Sequence, residues 1–492
     1  MKDYTVVVDQ STSATKAMLF RDEGILVHTV SIAHQQYYPR PGWVEHDAEE
    51  IFANTVTAVR ELLATTAIDL SLVDSLAITN QRETVVVWDK RTGKPVCNAV
   101  VWQCNRGADL CDQLIREGRQ ELVRSKTGLL INPYFSASGI SWILNEVPGA
   151  AEEAAKGNLL FGTMDSWLIW KLTGGRIHAT DHTNASRTLL YNVQSLKWDP
   201  ELFELFSIPV SMAPEVRSGD AVYGVTDASW FGKALTIAGV LGDSHGALAG
   251  QLCFQPGMGK VTYGTGSSVM IQAGTEMLSA PDGLVTSVAF SALGKVYYAF
   301  EGNIHCTGAT IQWLVDDLQL LNNAAESEVL ATSVDDTGGV YLVPAFAGLG
   351  APWWDPDARA VICGMTRGTK KAHVVRAALE SIAYQIRDLL ELVKGSGITL
   401  KEVRVDGGPV KNAFLMQFQS DQLQAPVNRS PVKEASALGV YFMNRLAMKQ
   451  WHSLDEIGKT RTNNEYVYPM MPPQQADSLY AGWKKAIGKS RQ

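Results

Sequence analysis

Residues 6–20, VVVDQSTSATKAMLF, predict an apolar strand, a tight turn of small hydroxyl residues and a second apolar strand. Residues 259–271, GKVTYGTGSSVMI, repeat these features well past the midpoint of the chain. In such a turn the backbone N–H groups can point at one spot, where they bind phosphate oxygens. A single hairpin of this kind is usually a plain turn. Two of them, each opening one half of the chain, indicate a duplicated domain with a nucleotide between its halves.

Length and local patterns set the expected organisation. The chain has 492 residues, more than the roughly 250–300 at which a single core stops growing, so two domains are expected. Between the hairpins, an amphipathic helix is predicted over residues 48–64 and a strand over residues 75–79, and this alternation is typical of the α/β class. We place the domain boundary by the second hairpin, which gives domains 1–247 and 248–492.

Composition excludes several classes of function. The formal charge is 43 − 51 = −8 and no Lys/Arg-rich stripe is present, so a nucleic-acid partner is not expected. No apolar run approaches the ~20 residues of a membrane helix, and the first residues lack a signal-peptide pattern, which predicts a cytoplasmic protein without a membrane partner. The six cysteines are scattered without CxxC spacing. In a chain of this length, this pattern predicts reduced, mostly buried thiols. A homodimer or a homotetramer is compatible with the sequence.

Longer motifs resemble the FGGY family of carbohydrate kinases, and within it the glycerol kinases, over nearly the whole chain. The motifs that carry the resemblance are GWVEHD (42–47), TNQRET (79–84), VWQC (101–104), DHTNASRT (181–188), residues 360–380 and residues 406–417. The resemblance implies duplicated actin-like, ribonuclease-H-like domains, in agreement with the internal repeat. It also implies ATP and Mg²⁺ as cofactors and a small carbohydrate or polyol as the acceptor.

Two aspartates are candidates for the chemistry. Asp243 follows the apolar stretch 238–242, and the resemblance makes it the general base; from the residues alone, a helix N-cap is the alternative. Asp9 precedes the first turn and resembles the acidic residue that binds Mg²⁺, with Asp243 as a second metal ligand; a turn aspartate is the alternative. Lys16 occupies the place where glycerol kinases usually carry an arginine that faces the γ-phosphate. Lysine keeps the charge but loses the fork geometry.

The nucleotide contacts that the resemblance implies come from both halves of the chain. Phosphate contacts are expected from the two turns, ribose and adenosine contacts from a later helix, and adenine contacts from a Gly-Gly turn. In that order, these residues are Thr12, Ser13, Thr265 and Gly266, then Gly308 and Gln312, and then Gly408 and Asn412.

The acceptor contacts are expected from the first half. Arg82 supplies hydrogen-bond donors and Glu83 supplies acceptors, and a vicinal diol needs both. Trp102 offers an apolar wall and Tyr134 a hydroxyl contact. From the residues alone, a surface ion pair and a core tryptophan are the alternatives.

Three departures from the glycerol-kinase pattern concern the acceptor. Ser244 and His245 stand where two glutamines are usual, Ser268 stands in place of a phenylalanine, and Gly139 in place of a lysine. The smaller side chains at 244 and 268 lead to the hypothesis of an acceptor longer or more hydroxylated than glycerol, such as a four- or five-carbon polyol or ketose. The alternative is that neighbouring side chains fill the space and glycerol is still used. His245 could bind an extra hydroxyl, or be a buried histidine whose hydrogen bonds go to the backbone.

Two other classes of function are weighed against a kinase. A chaperone-like ATPase of the same fold would need only the two hairpins, and it would not need the acceptor residues Arg82, Glu83, Trp102 and Tyr134. A pseudokinase would bind sugar without turnover, but Asp9 and Asp243 are both present.

Overall fold

The computed structural model describes residues 4–355, 357–429, 434–461 and 463–491. The strands are β1 (Tyr4–Gln10), β2 (Ala14–Arg21), β3 (Ile25–Ala33), β4 (Gln36–Tyr37), β5 (Glu45–His46), β6 (Val73–Asn80), β7 (Val85–Asp89), β8 (Lys94–Pro95), β9 (Ala99–Val100), β10 (Leu159–Thr163), β11 (Ala179–Asp181), β12 (Tyr191–Asn192), β13 (Lys197–Trp198), β14 (Glu215–Arg217), β15 (Val222–Val225), β16 (Thr236–Gly242), β17 (Met258–Tyr263), β18 (Ser267–Gly274), β19 (Val285–Ala292), β20 (Lys295–Ile304), β21 (Tyr341–Val343), β22 (Val361–Cys363), β23 (Glu402–Gly407), β24 (Val427–Arg429) and β25 (Glu465–Val467).

Helices alternate with these strands along the chain. They are α1 (Ala48–Thr66), α2 (Ala108–Arg116), α3 (Gln120–Thr127), α4 (Ser136–Glu146), α5 (Ala150–Ala155), α6 (Met164–Leu172), α7 (His182–Ala185), α8 (Pro200–Leu205), α9 (Ala228–Phe231), α10 (Asp243–Gly250), α11 (Gly308–Asp316), α12 (Glu326–Thr332), α13 (Lys371–Lys394), α14 (Ala413–Leu423), α15 (Ala435–Ala447), α16 (Leu454–Lys459) and α17 (Pro473–Ser490), with short 3₁₀ turns at Leu70–Leu72, Val210–Met212 and Gly408–Lys411. Within the described ranges, no helix combines the length and apolarity that a membrane span requires.

Two large sheets repeat one topology. The first has the order β15-β16-β6-β1-β2-β3, and the second has the order β19-β20-β18-β17-β23-β24-β25. In the first, β1 is antiparallel to β2 and parallel to β6; in the second, β17 is antiparallel to β18 and parallel to β23. The repeated hairpin and its parallel neighbour confirm the duplicated α/β fold that the sequence predicts.

Each central strand is apolar because it is covered on both faces. Val6, Val7 and Val8 of β1 are fully buried, as is Val261 of β17, and helices pack against both sheets. A smaller mixed sheet, β10-β7-β9-β5-β4 with β8 beside β7, adds to the first half. It lies next to the segment that carries the predicted acceptor residues.

Helix α15 belongs to the second half of the sequence but packs on α10 and on the first sheet. Glycines make this close crossing feasible. A Cβ on Gly250 would lie 1.9 Å from the carbonyl oxygen of Ala435, and a Cβ on Gly439 would lie 1.9 Å from that of Gly246. The backbones of α10 and α15 therefore touch, and the crossing fixes the second half of α10 relative to the start of α15.

Candidate active site

Asp243 is the first residue of α10, directly after the buried strand β16. Its Oδ1 accepts a hydrogen bond from the backbone N–H of Ser244 at 2.6 Å and lies 3.2 Å from Nε of Arg82. The N-cap of α10 is Gly242, and no side chain caps this helix, so the alternative that Asp243 is a helix cap is wrong. About a third of the Asp243 side chain (36%) is exposed, which leaves the carboxylate accessible to a ligand.

Asp9 lies near the end of β1, opposite Lys16 on β2 and Thr79 on β6. Its side chain is buried, and burial together with the negative charge of Asp243 raises its pKa to about 7. Two carboxylates that repel one another favour a bound cation. Magnesium takes one or two protein carboxylates and completes its shell with phosphate oxygens and water, so Asp9 and Asp243 fit such a site. In the described ranges no cluster of three or more His, Cys, Asp or Glu side chains suits a metal ion.

Lys16 forms an ion pair that the sequence did not predict. Its Nζ lies 2.8 and 2.9 Å from the two carboxylate oxygens of Glu434, the residue just before α15. Both side chains are partly exposed, so the pair adds little stability and can exchange partners. Contact between Lys16 and a γ-phosphate stays a prediction, and it requires that the ammonium leave or share Glu434.

The first hairpin turn has Thr12 and Ser13 at its tip. The N–H of Ser11 donates to the carbonyl of Ala14 at 2.9 Å and closes the turn. Thr12 Oγ1 accepts a hydrogen bond from Nε1 of Trp102 at 3.0 Å. The predicted phosphate turn and the predicted acceptor wall are therefore in direct contact.

The second hairpin turn, with Thr265 and Gly266, packs against the start of α11. The N–H of Gly308 donates to the carbonyl of Gly264 at 3.0 Å. A Cβ on Gly266 would lie 2.3 Å from the carbonyl oxygen of Ile304, and a Cβ on Gly308 would lie 2.5 Å from that of Gly264. Close packing of the turn against β20 and α11 therefore requires glycine at both positions.

The residues predicted for the adenosine lie farther along the second half. Gln312 is exposed on α11, and its amide donates to Asp316 at 2.7 Å. Asn412 is the N-cap of α14, where Oδ1 accepts the N–H of Leu415 at 2.9 Å. A Cβ on Gly408 would meet open space, which leaves room for a ligand at this backbone. Their contacts with a nucleotide stay predictions.

Arg82 and Glu83 are part of a buried charge cluster that also contains Arg187 and Glu301. Arg82 donates to both oxygens of Glu301 at 3.0 and 2.9 Å. Arg187 donates from Nε to Glu83 at 2.5 Å and from Nη1 to Glu301 at 2.8 Å. All four side chains are at most 5% exposed, so the alternative of a surface ion pair is wrong.

Glu301 ties the two halves of the molecule together at this cluster. It comes from β20 of the second sheet, whereas Arg82 and Arg187 come from the first half. Burial opposes its ionisation, but the charges of Arg187 and Arg82 outweigh burial and lower the pKa of Glu301. Neither Glu301 nor the role of Arg187 was predicted from the sequence. The available signal was one glutamate in the otherwise apolar stretch YYAFEG of residues 297–302.

Trp102 and Tyr134 form an aromatic wall beside the cluster. Their rings meet edge to face with centroids 5.3 Å apart, and both side chains are only partly buried. The alternative of a core tryptophan is therefore wrong for Trp102. Burial and the charge of Glu83 raise the pKa of Tyr134, which keeps its hydroxyl protonated and able to donate.

The departures from the glycerol-kinase pattern lie in three different surroundings. Ser244 is half-buried, and in the described part of the chain its hydroxyl has no hydrogen-bond partner. Ser268 Oγ accepts a hydrogen bond from Nζ of Lys260 at 3.2 Å. Gly139 is buried in α4, where a Cβ would lie 3.3 Å from Val100, so this position is part of a core.

His245 is buried, as one of its two predicted roles requires, and its contact with an acceptor hydroxyl stays a prediction. It is fully buried, its Nε2 lies 3.4 Å from the hydroxyl of Ser287, and Nδ1 has no partner among the described residues. The alternative of a histidine satisfied by the backbone is therefore wrong. Burial and the charge of Arg82 lower the pKa of His245, so the ring is neutral.

Phosphoryl transfer to an alcohol requires a base near the acceptor hydroxyl and groups that bind the phosphates. The duplicated actin-like fold offers a partly exposed aspartate for the first requirement and two turns rich in small residues for the second. This is the organisation of a carbohydrate kinase.

Comparison with known proteins identifies the family. The model of the N-terminal domain of FGGY carbohydrate kinases matches residues 4–250, and the model of the C-terminal domain matches residues 259–448. The chain belongs to the FGGY family of carbohydrate kinases. It is therefore a phosphotransferase with an alcohol group as acceptor, and membership of a kinase family implies ATP as the phosphoryl donor.

The relatives in this family include glycerol kinases of full length. The chain is 48% identical to a glycerol kinase of Petrotoga mobilis over 492 residues, which cover 100% of this chain and 99% of that protein. It is 49% identical to a glycerol kinase of Carboxydothermus hydrogenoformans over 493 residues, with the same coverage. The crystal structure of Plasmodium falciparum glycerol kinase with ADP matches with a TM-score of 0.94 at 34% identity, covering 99% of this chain and 98% of that one.

Proposed function

We propose that this kinase transfers the γ-phosphoryl group of ATP to a hydroxyl of a polyol or small sugar larger than glycerol, with Asp243 as the general base. The observation that carries the proposal is the carboxylate of Asp243. It caps no helix, is partly exposed, and is 3.2 Å from Arg82, which Glu301 fixes through two hydrogen bonds.

The proposed reaction begins with the acceptor bound at the charge cluster. Arg82 and Glu83 orient adjacent hydroxyls, and the Trp102 ring excludes water from the carbon chain. Asp243 accepts the proton of the attacking hydroxyl while the oxygen of that hydroxyl bonds to the γ-phosphorus. The bond between the γ-phosphorus and the bridging oxygen of the β-phosphate breaks, which releases ADP. Arg82 orients the base, because its Nε lies beside the Asp243 carboxylate.

Asp9 and Asp243 would hold Mg²⁺ in this scheme. When bound there, Mg²⁺ would neutralise part of the charge of the phosphates. The turn at Thr12 and Ser13 and the turn at Thr265 and Gly266 would bind phosphates from the two halves, with the ammonium of Lys16 nearby. The nucleoside would contact Gly308, Gln312, Gly408 and Asn412.

The size of the acceptor is inferred from Ser244 and Ser268. Both are small, both are half-buried, and the Ser244 hydroxyl has no partner in the described ranges. A polar site larger than its ligand binds weakly, so these residues favour an acceptor with more hydroxyls than glycerol. Glycerol itself is the second candidate, because relatives at 48–49% identity are named glycerol kinases.

An ATP-consumption assay against glycerol and a panel of polyols, aldoses and ketoses of three to seven carbons tests the proposal. We expect turnover of a longer acceptor, at least tenfold better than glycerol in kcat/KM, and loss of turnover in Asp243→Asn. Rapid turnover of glycerol and poor turnover of every longer acceptor would support the second candidate. Turnover that survives Asp243→Asn would refute the role of the base. A cytoplasmic location and a homodimer or homotetramer stay predictions.

A further inference from the structure

The strands of the second sheet present a polar face to the acceptor residues. Directly opposite residues of antiparallel strands share one face, as do residues two apart on one strand. The register of β17, β18 and β20 thus builds two adjoining rows of three side chains: Thr262, Ser268 and Asn303, and then Lys260, Met270 and Glu301. Glu301 binds Arg82, so this face is the one that meets the first half of the molecule at the acceptor site.

Lys260 leaves the hydroxyl of Ser268 with a free hydrogen. The lysine is 1% exposed, and its Nζ donates to Thr262 Oγ1 and to Ser268 Oγ, both at 3.2 Å. Because the Ser268 oxygen accepts from the ammonium, its own O–H must point elsewhere. No other hydrogen bond of this hydroxyl exists within the described ranges, so it can donate to a ligand.

Asn303 is the cross-strand neighbour of Ser268 and stands two residues, about 7 Å, beyond Glu301 along β20. Its side chain is half-buried, and its amide forms no hydrogen bond in the part of the chain that the structure describes. An amide offers both an acceptor oxygen and a donor nitrogen. Half-buried polar groups without protein partners are suited to bind a ligand's polar groups.

We propose that Ser268, Asn303 and Lys260 form a subsite for a hydroxyl beyond the third carbon of the acceptor. The inference rests on the proposed function, in which Arg82, Glu83 and Asp243 bind the reacting end. Ser268 donates a hydrogen bond to the distal hydroxyl, and that hydroxyl donates one to Oδ1 of Asn303. Lys260 orients the Ser268 hydroxyl.

The charges around the subsite identify a neutral acceptor. In or next to the cluster, three cations, Arg82, Arg187 and Lys260, face four carboxylates, which are Glu83, Glu301, Asp243 and, beside Lys260, Asp406. A sugar acid would add an unbalanced negative charge to this set, whereas a four- or five-carbon polyol or ketose would not.

The experiment measures kcat/KM of the full-length wild-type kinase and of Asn303→Ala and Ser268→Ala for glycerol, erythritol, xylitol, ribitol and xylulose. We expect each variant to lose about 10-fold in kcat/KM for the preferred longer acceptor, mainly through KM, and less than about 2-fold for glycerol. Asn322→Ala is the matched control, because among the described residues the side-chain amide of Asn322 bonds only to Glu326, away from the acceptor site. Calorimetric titration of the longer acceptor into each variant should show the same 10-fold loss of affinity.

The outcomes separate this subsite from the proposed function. Turnover of a longer acceptor that is unaffected by both variants would overturn the subsite and leave the kinase assignment intact. Equal losses for glycerol and for the longer acceptor would also overturn it, since a distal subsite cannot act on a three-carbon acceptor. No turnover of any acceptor by a folded, ATP-binding enzyme would refute the proposed function and the subsite together.

Discussion

Replacing Glu301 with glutamine should both destabilise the protein and slow the reaction. Glu301 accepts three charge-assisted hydrogen bonds, two from Arg82 and one from Arg187, and all three side chains are buried. Glutamine keeps the shape, but it turns an amide N–H₂ toward a guanidinium and leaves one positive charge unpaired.

The expected loss of stability and of kcat/KM in Glu301→Gln follows from that geometry. Removing one partner of a buried ion pair costs about 3–5 kcal/mol, because an unpaired charge stays out of water. At about 2–4 °C per kcal/mol for domains of 150–250 residues, the melting temperature should fall by about 10 °C. Arg82 also orients Asp243, and a shift of about 1 Å in a catalytic group can cost about 100-fold, so kcat/KM should fall by about that factor.

Differential scanning fluorimetry and steady-state kinetics on the purified variant test both effects. Glu153→Gln is the control, because Glu153 also binds two cations, Arg91 and Lys156, but at the surface. Its melting temperature should stay within about 2 °C of the wild-type value. Glu301→Asp keeps the charge and serves if the glutamine variant does not fold. A Glu301→Gln protein with unchanged melting temperature and kcat/KM would refute the reasoning.

Three further perturbations test other parts of the site and fold. Asp243→Asn should lower kcat by about 10²–10⁴-fold, the usual worth of a general base, while calorimetry without Mg²⁺ shows no loss of ADP affinity; weakened binding of metal-free ADP would point to a structural role. Lys16→Met should raise KM for ATP by about 10-fold, because it removes a phosphate cation, and an unchanged KM would mean that Lys16 only pairs with Glu434. Burial raises the pKa of Glu380 from 4.5 to about 7, so the stability that its protonated form contributes is present at low pH and is lost as pH rises through about 7. The melting temperature of the wild type relative to Glu380→Gln should therefore fall between about pH 5 and pH 8, and a pH-independent difference would contradict the shift.

The fold was largely predictable because its signals are local. The hairpin of residues 6–20 became β1 and β2, the helix predicted over 48–64 became α1, and the strand predicted over 75–79 lies within β6. Each of these depends on residues within one element or one turn. The position of Asp243 at the end of a buried strand was predictable for the same reason.

The acceptor site was only half predictable, because its other half comes from distant strands. Glu301 is 219 residues from Arg82, and nothing in the local pattern of β20 reveals which arginine it meets. Asn303 and Lys260 became visible only through the register of three strands. Periodicity predicts which residues share a face within one strand, but pairing between strands is set by the packing of the whole sheet.

The touching backbones of α10 and α15 have a consequence for how this chain can evolve and be recombined. The domain boundary proposed at residues 247 and 248 falls inside α10, and its partner helix comes from nearly two hundred residues later. A chimera that joins residues 1–247 of this chain to the second half of a relative would take Gly246 of α10 from one parent and both Gly250 and α15 from the other. It would assemble only if the first parent has glycine at position 246 and the second has glycine at position 439, because a Cβ at 246 would lie 2.7 Å from the carbonyl oxygen of Ser436 and a Cβ at 439 would lie 1.9 Å from that of Gly246. Exchange of halves is therefore limited to relatives that share this crossing, and the two halves must change together across lineages.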